Sequence, residues 1–232
     1  MNKLLDTLFV IPARGGSKGL PGKNIKDLCG KPLISYSIDV ARAFVDDEHI
    51  CVSTDSEEIK KVVENYGLKV PFLRPDYLAT DTASSNDVLV HAVNFFKEQG
   101  RKYKKLILLQ PTSPLRTSQD VQGAIELYRD DIDMVSGMTK SHAPSILNVE
   151  NEEGYMVSVF NKNGLGRQFV KEMYETNGAV YVINIESLLE KGMKGFTRKV
   201  KYIMNKAHSV DIDDIIDFKL VETILKEREV NE

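Results

Sequence analysis

The chain has 232 residues, 42% of them hydrophobic, enough to bury a full α/β core, and its two cysteines, Cys29 and Cys51, lie in apolar contexts that suit a reducing compartment. Its net charge of −3 comes from 31 basic and 34 acidic residues without a long block of either sign, which disfavours nucleic acid as a bulk partner. The four histidines lack zinc spacing, and the short apolar run before Pro12 suits neither a signal peptide nor a membrane span, so a cytoplasmic protein without membrane contact is expected.

Leu8-Phe9-Val10-Ile11 reads as a buried central strand leading into a glycine-rich loop. A helix is expected from Pro32, preorganised for a first turn, through Leu33, Ile34, Ile38, Val40 and Ala41, which recur near a 3.6-residue period. Ile50 to Ser53 reads as a strand ending in Thr54-Asp55. Helices follow over Glu57 to Tyr66, closed by Gly67, and over Asp87 to Gln99, closed by Gly100. Leu106 to Leu109 reads as a strand buried on both faces, and Ser118 to Arg129 as a helix. From about 141 to 175 the rhythm breaks into a polar excursion, with weak alternation in Ser145 to Val149 and Met156 to Phe160, suited to hairpins and an oligomer contact. Strands at Ala179 to Ile183 and Lys201 to Met204, then a helix over Ile215 to Arg228, close the chain. The alternation predicts one α/β domain over 1–232, a three-layer sandwich around a mostly parallel central sheet.

The loop Ala13-Arg14-Gly15-Gly16-Ser17-Lys18-Gly19-Leu20-Pro21-Gly22-Lys23-Asn24 directly follows the first strand. Its glycines let backbone N–H groups approach phosphate oxygens, and Arg14, Lys18 and Lys23 supply charge to a polyphosphate. The spacing matches neither the P-loop nor the dinucleotide fingerprint. Near the other end, Asp211 and Asp213 flank Ile212, so on an extended segment both carboxylates share one face while Ile212 points to the core. Two hard oxygen ligands suit Mg²⁺, completed by water and substrate phosphates. Asp214 and Asp217 read mainly as charges at the start of the last helix.

The string IPARGGSKGLPGKN resembles the signature loop of the acylneuraminate cytidylyltransferases, the CMP-sialic acid synthetases. Four further segments resemble that family in order: Arg74-Pro75 with Leu78 to Ser85, Leu109 to Arg116, Asn177-Gly178-Ala179-Val180-Tyr181, and Val210 to Asp213. The resemblance implies a nucleotide-diphospho-sugar transferase-like fold and a homodimer formed through the excursion. It implies Mg²⁺-dependent transfer of CMP from CTP to the anomeric hydroxyl of a nonulosonic acid, with release of pyrophosphate. Arg14, Lys18, Lys23, Asp211 and Asp213 would carry the chemistry, with Asp211 and Asp213 holding the metal. Ala13, Arg14, Gly15, Lys23, Asn24, Arg74, Thr82, Ala83, Ser84, Gln110, Pro111 and Thr112 would line the nucleotide. Ser84 and Ser85 have an alternative reading as the N-cap of the following helix. Gln110, Arg167, Asn177, Tyr181 and Phe196 would meet the sugar; Arg167 suits a planar carboxylate, while Tyr181 and Phe196 have an alternative reading as core.

Two departures from the family pattern fall in the part that reads the sugar. No lysine follows Ser141-His142-Ala143-Pro144-Ser145-Ile146, and Glu175 stands where the family places an arginine before Asn177-Gly178. N-acylneuraminate is the first expectation, with legionaminic acid or the deaminated sialic acid as alternatives. Rival readings are an eight-carbon keto-sugar acid cytidylyltransferase, a metal-dependent glycosyltransferase and a catalytically silent nucleotide-binding regulator.

Overall fold

Leu8, Phe9, Val10 and Ile11 are all wholly buried and alternate between two cores, Phe9 and Ile11 facing one and Leu8 and Val10 the other. A strand buried on both faces needs helices on both. The computed structural model describes residues 4–16, 19–80, 82–141, 147–158 and 172–231, and it supplies them. In chain order come β1 (Thr7–Pro12), β2 (Asp27–Leu28), β3 (Lys31–Pro32), α1 (Leu33–Arg42), β4 (Ile50–Ser53), α2 (Glu57–Asn65), α3 (Ser85–Glu98) and β5 (Lys105–Leu108). Then follow α4 (Ser118–Glu126), β6 (Met134–Lys140), β7 (Asn148–Glu150), β8 (Met156–Ser158), β9 (Tyr174–Asn184), α5 (Ile185–Lys191), β10 (Lys199–Ile203) and α6 (Ile215–Asn231).

The main sheet has the order β10-β6-β9-β5-β1-β4. β1 pairs parallel with β4 and β5, and β6 with β10, whereas β9 runs antiparallel to its neighbours β5 and β6. The sheet is therefore mostly parallel, as expected, with β9 alone reversed. Ile34, Ile38, Ile59, Val63, Val121 and Ala124 of α1, α2 and α4 join Phe9 and Ile11. Leu89, Ala92, Phe96 and Leu188 of α3 and α5 join Leu8 and Val10 on the other face. The result is the three-layer α/β sandwich. α6 adds a smaller core, in which Phe218 and Val221 pack with Leu28, Leu33, Leu115 and Ile212. No described helix is long and apolar enough to cross a membrane.

Several boundaries differ from the sequence expectation. Pro32 stands at the N-cap of α1 rather than inside its first turn. α3 starts at Ser85 instead of Asp87 because the Ser84 side chain caps it, accepting from the Asp87 N–H. α4 stops at Glu126, short of Arg129, where the chain turns through hydrogen bonds from Tyr128 N to Ile125 O and Ile132 N to Arg129 O. β9 begins at Tyr174, five residues ahead of Ala179, and carries a register irregularity against β6 between Ser136 and Met138. β6 and α5 occupy stretches with no expected element, and the β2–β3 hairpin precedes and includes Pro32, the expected start of the helix. Gly137 interrupts the apolar run of β6, α5 has only 7 residues, and β2 and β3 have 2 each. Of the excursion, the described part includes the β7–β8 hairpin, closed by a hydrogen bond from Asn151 N to Tyr155 O, and the first residues of β9. Residues 142–146 and 159–171 lie outside the described residues.

Candidate active site

The carboxyl ends of parallel strands leave backbone groups free to meet a ligand, and the loop after β1 starts there. Ala13 N donates to Ser53 O at 2.9 Å, extending the β1–β4 pairing by one step. Gly15 N then donates to the Asp55 carboxylate at 3.1 Å, and the same oxygen accepts from Arg74 Nη2 at 3.1 Å. Arg74 is 5% exposed, so this pair fixes the base of the loop from below. Asn24, also buried, donates through Nδ2 to the Arg14 carbonyl at 3.1 Å and closes the loop on itself.

The two ends of the sequence meet at Lys23. Its Nζ donates to the Ile212 carbonyl at 2.7 Å and lies 3.8 Å from the Asp213 carboxylate. Ile212 is wholly buried and its N–H donates to Thr112 O at 2.8 Å, so residues 211–213 are anchored to the loop after β5. The carboxylates beside it differ. Asp213 has an 84% exposed side chain. Asp211 is half-buried and accepts from Ser113 Oγ at 3.4 Å, and burial, reinforced by the nearby Asp213 charge, holds its carboxyl above the ordinary range despite the opposing Thr112, Lys23 and Ser113. Asp214 and Asp217 serve the start of α6. Asp214 Oδ1 accepts from Ile216 N and Asp217 N, and Asp217 Oδ2 from Asp213 N and Asp214 N.

A cavity of about 600 Å³ joins these groups, lined by Pro12, Arg14, Gly19, Lys23, Asn24, Gln110, Pro111, Thr112, Asp211 and Asp213. A second, of about 400 Å³, shares Gln110 and Asp211 with it and adds Thr139, Glu175, Thr176, Asn177, Gly178, Tyr181 and Ser209. Gly178, at φ +73°, lies under the Gln110 side chain, and a β-carbon there would stand 2.4 Å from Gln110 Oε1. Asn177 is buried, donating to Ser209 Oγ at 2.9 Å and accepting from Ala179 N at 3.1 Å. Burial, then the Asp211 charge, raises the Tyr181 hydroxyl above its usual pKa. Glu175 accepts from Ser141 Oγ.

A larger cavity of about 830 Å³ opens at the opposite end of the sheet, lined by residues such as Lys104, Tyr128, Asn184 and Leu189. It lies at the amino end of β5, and its Arg101 is already engaged by Glu48. The chemistry-bearing groups converge instead at the carboxyl ends.

Not every expected residue reaches the paired cavities. Arg74 is buried against Asp55, and Ser84 is the cap of α3. Thr82 and Ala83 line a separate hollow of about 570 Å³ with Tyr77 and His91. Phe196 is 4% exposed and packs in the core with Leu89 and Leu188, so its side chain lines neither of the paired cavities. Lys18 and Arg167 lie outside the described residues. Asp55, Thr139 and Ser209 are contributors that sequence reasoning passed over; only Asp55 carried a signal, ending a strand next to the loop it braces.

A family model described as Cytidylyltransferase matches residues 8–167. The chain belongs to the cytidylyltransferase family. Among relatives, it is 36% identical over 225 residues to an N-acylneuraminate cytidylyltransferase of Escherichia coli O18:K1:H7 (strain RS218 / NMEC), across 95% of this chain and 52% of that protein. The chain thus spans about half the length of the N-acylneuraminate cytidylyltransferases it matches. It is 34% identical to a CMP-N,N'-diacetyllegionaminic acid synthase of Legionella pneumophila subsp. pneumophila, covering 94% of this chain and 96% of that one. In fold it is similar to a CMP:2-keto-3-deoxy-manno-octonic acid synthetase complexed with CTP, with a TM-score of 0.69, 21% identity, and coverage of 96% of this chain and 99% of that one.

Proposed function

We propose that this chain transfers CMP from CTP to the anomeric hydroxyl of a nonulosonic acid, releasing pyrophosphate. The observation that carries the reading is the junction of Lys23 with Asp211 and Asp213 in one cavity, continuous through Gln110 and Asp211 with a second. The first cavity takes the nucleotide triphosphate and the second the sugar. The relatives named for N-acylneuraminate and diacetyllegionaminic acid support a nine-carbon acidic sugar over an eight-carbon one, and N-acylneuraminate is the first candidate.

In this reading the sugar hydroxyl attacks the α-phosphorus in line. A new O–P bond forms, the bond between the α-phosphorus and the oxygen bridging to the β-phosphate breaks, and the hydroxyl proton passes to water. Lys23 and Arg14 stabilise the charge that grows on the leaving pyrophosphate, and Gln110 orients both substrates from the shared wall. Asp211 and Asp213 fit a hard divalent cation. They share a face beside buried Ile212, and burial leaves Asp211 short of compensating charge. When bound, Mg²⁺ would neutralise the α-phosphate and acidify the attacking hydroxyl.

The whole chain acts as one domain in this proposal, in the cytoplasm, where CTP is made. It pairs as a homodimer. Exposed Val149, Tyr155, Met156 and Val157 on the β7–β8 hairpin support that part, because such side chains gain by burial against a second copy. The deciding experiment measures pyrophosphate release with CTP, Mg²⁺ and a panel of nonulosonic acids beside the eight-carbon acid. Turnover with the nonulosonic acids, weakened in CTP use by Lys23→Ala, is expected. Turnover with the eight-carbon acid alone overturns the sugar assignment, and no release with any acid overturns the reaction.

A further inference from the structure

Arg116, between β5 and α4, is 3% exposed, and among the described residues no carboxylate lies within ion-pair distance of it. Burial pushes its pKa down to about 9, with Asp120 acting against the shift. A buried cation is costly unless its donors are used, and here both Nη groups are used while Nε is buried without a hydrogen-bond partner. Arg116 Nη1 donates to Ala179 O at 2.7 Å and to Gln110 O at 3.2 Å, and Nη2 donates to Ser37 Oγ at 2.6 Å.

The pattern of acceptors is informative. The β5–β9 ladder runs from Lys105 opposite Asn184 to Leu108 opposite Tyr181 and then stops. Continued by two residues, the same register would set Gln110 opposite Ala179. Their backbone groups are diverted instead. Ala179 N donates to its neighbour Asn177's side chain, Gln110 O accepts from Ser113 N, and Arg116 takes both carbonyls at once. The guanidinium thus replaces the missing ladder bonds at the point where the two strands part. That parting is where the Gln110 side chain lies over Gly178, facing both cavities.

We propose that Arg116 is a positioning residue, a buried wedge that holds β5 and β9 apart and fixes Gln110 against both substrates. The inference rests on the proposed assignment of the two cavities. A planar guanidinium bridges two carbonyls and a hydroxyl in one fixed geometry, whereas a lysine ammonium at the end of a flexible stem cannot reproduce the fork. Arg116 touches neither substrate; its effect on the reaction passes through Gln110.

A double-mutant cycle on pyrophosphate release tests this, with Arg116→Lys and Gln110→Ala separately and together. Arg116→Lys is expected to raise KM for both substrates and to lower kcat/KM about tenfold, the scale of one lost charge-assisted hydrogen bond. In the Gln110→Ala background the same change should cost less than about twofold, because coupled residues are not additive. Equal losses in both backgrounds, or a fall in kcat with both KM values unchanged, overturn the proposal. Should Arg116→Lys not fold, Ser37→Ala, which removes the Nη2 acceptor together with a 3.4 Å hydrogen bond from Ser37 Oγ to Gln110 O, takes its place under the same criterion. Failure of the broader reading shows separately, as wild-type protein releasing no pyrophosphate. Backbone hydrogen exchange in the substrate-free variant still decides the inference in that event. Faster exchange confined to 110–113 and 178–180 supports the wedge, and exchange that is unchanged or faster throughout the sheet overturns it.

Discussion

Gly19 lies so close to Asp213 that a β-carbon built on it would stand 2.3 Å from the Asp213 carbonyl oxygen. A backbone atom cannot yield as a flexible side-chain tip would, so any side chain at 19 must displace the loop or the acidic segment. Both line the cavity assigned to the triphosphate. Gly19→Ala is therefore expected to lower kcat/KM for CTP on the order of a hundredfold, the effect of an ångström-scale misplacement. Its thermal midpoint should stay near wild type, since the loop lies outside the sheet cores. Unaltered CTP kinetics would show that the contact has no bearing on catalysis.

Asp211 separates activity from stability. Burial, then the Asp213 charge, raises its carboxyl pKa, so the folded protein retains a proton over a range in which the unfolded chain has lost it. The stability this group allows is greatest at acid pH and declines as pH rises through the raised value. Asp211→Asn removes the charge, and its thermal midpoint without metal or substrate should exceed wild type at pH 7 to 8. The gap should close on acidification below about pH 4, where an ordinary carboxyl is also protonated. Pyrophosphate release should meanwhile fall by at least about a hundredfold. A variant less stable than wild type at neutral pH, measured by calorimetry, would count against this electrostatic account.

The parts legible in the sequence are those where one local pattern implies one environment. Leu8 to Ile11 is an unbroken apolar run and becomes a strand buried on both faces. Ile212 between two aspartates is an inward residue with outward neighbours, and the structure buries it between partly and highly exposed carboxylates. The illegible parts depend on partners remote in sequence. Arg74 reads as a ligand-binding cation until Asp55, 19 residues away, is seen to hold it. Phe196 stands as a lone aromatic in a polar stretch, and only the packing of α3 and α5 around it marks it as core. β6 is masked by Gly137, where a β-carbon would meet Asn177 Oδ1 at 2.8 Å, a requirement set by another strand.

Phe196 gives a direct test of that correction. A side chain filling a core should cost stability when truncated, about 3–5 kcal/mol for phenylalanine to alanine. A residue lining the acyl pocket should instead alter the preference among sugars. Phe196→Leu, the milder change, is expected to lower the denaturation midpoint while leaving the ratio of kcat/KM values for N-acetylneuraminate and its deaminated counterpart unchanged. A shifted ratio with normal stability would return Phe196 to the sugar site.

Asp133 governs how the fold meets acid. It is wholly buried, yet Lys191 Nζ lies 2.8 Å away, Arg198 N and Thr197 N donate at 2.9 Å each, and Ser187 Oγ donates at 2.9 Å. These donors, Lys191 foremost, hold the carboxyl well below the ordinary range despite its burial. Because the native pKa is depressed, the charged form contributes its full stability above about pH 4, the unfolded value, and loses it as pH falls toward the native one. Asp133→Asn should therefore be clearly less stable at pH 7, leaving Lys191 without its partner, while the difference from wild type shrinks as the buffer is taken from pH 4 toward pH 2. The group lies where β6 begins and α5 and the segment before β10 converge, so its loss should loosen that edge of the sheet and leave the Lys23–Asp213 junction in place. Thermal melts across that pH series decide the matter, and a stability gap independent of pH would assign the effect to packing rather than to charge.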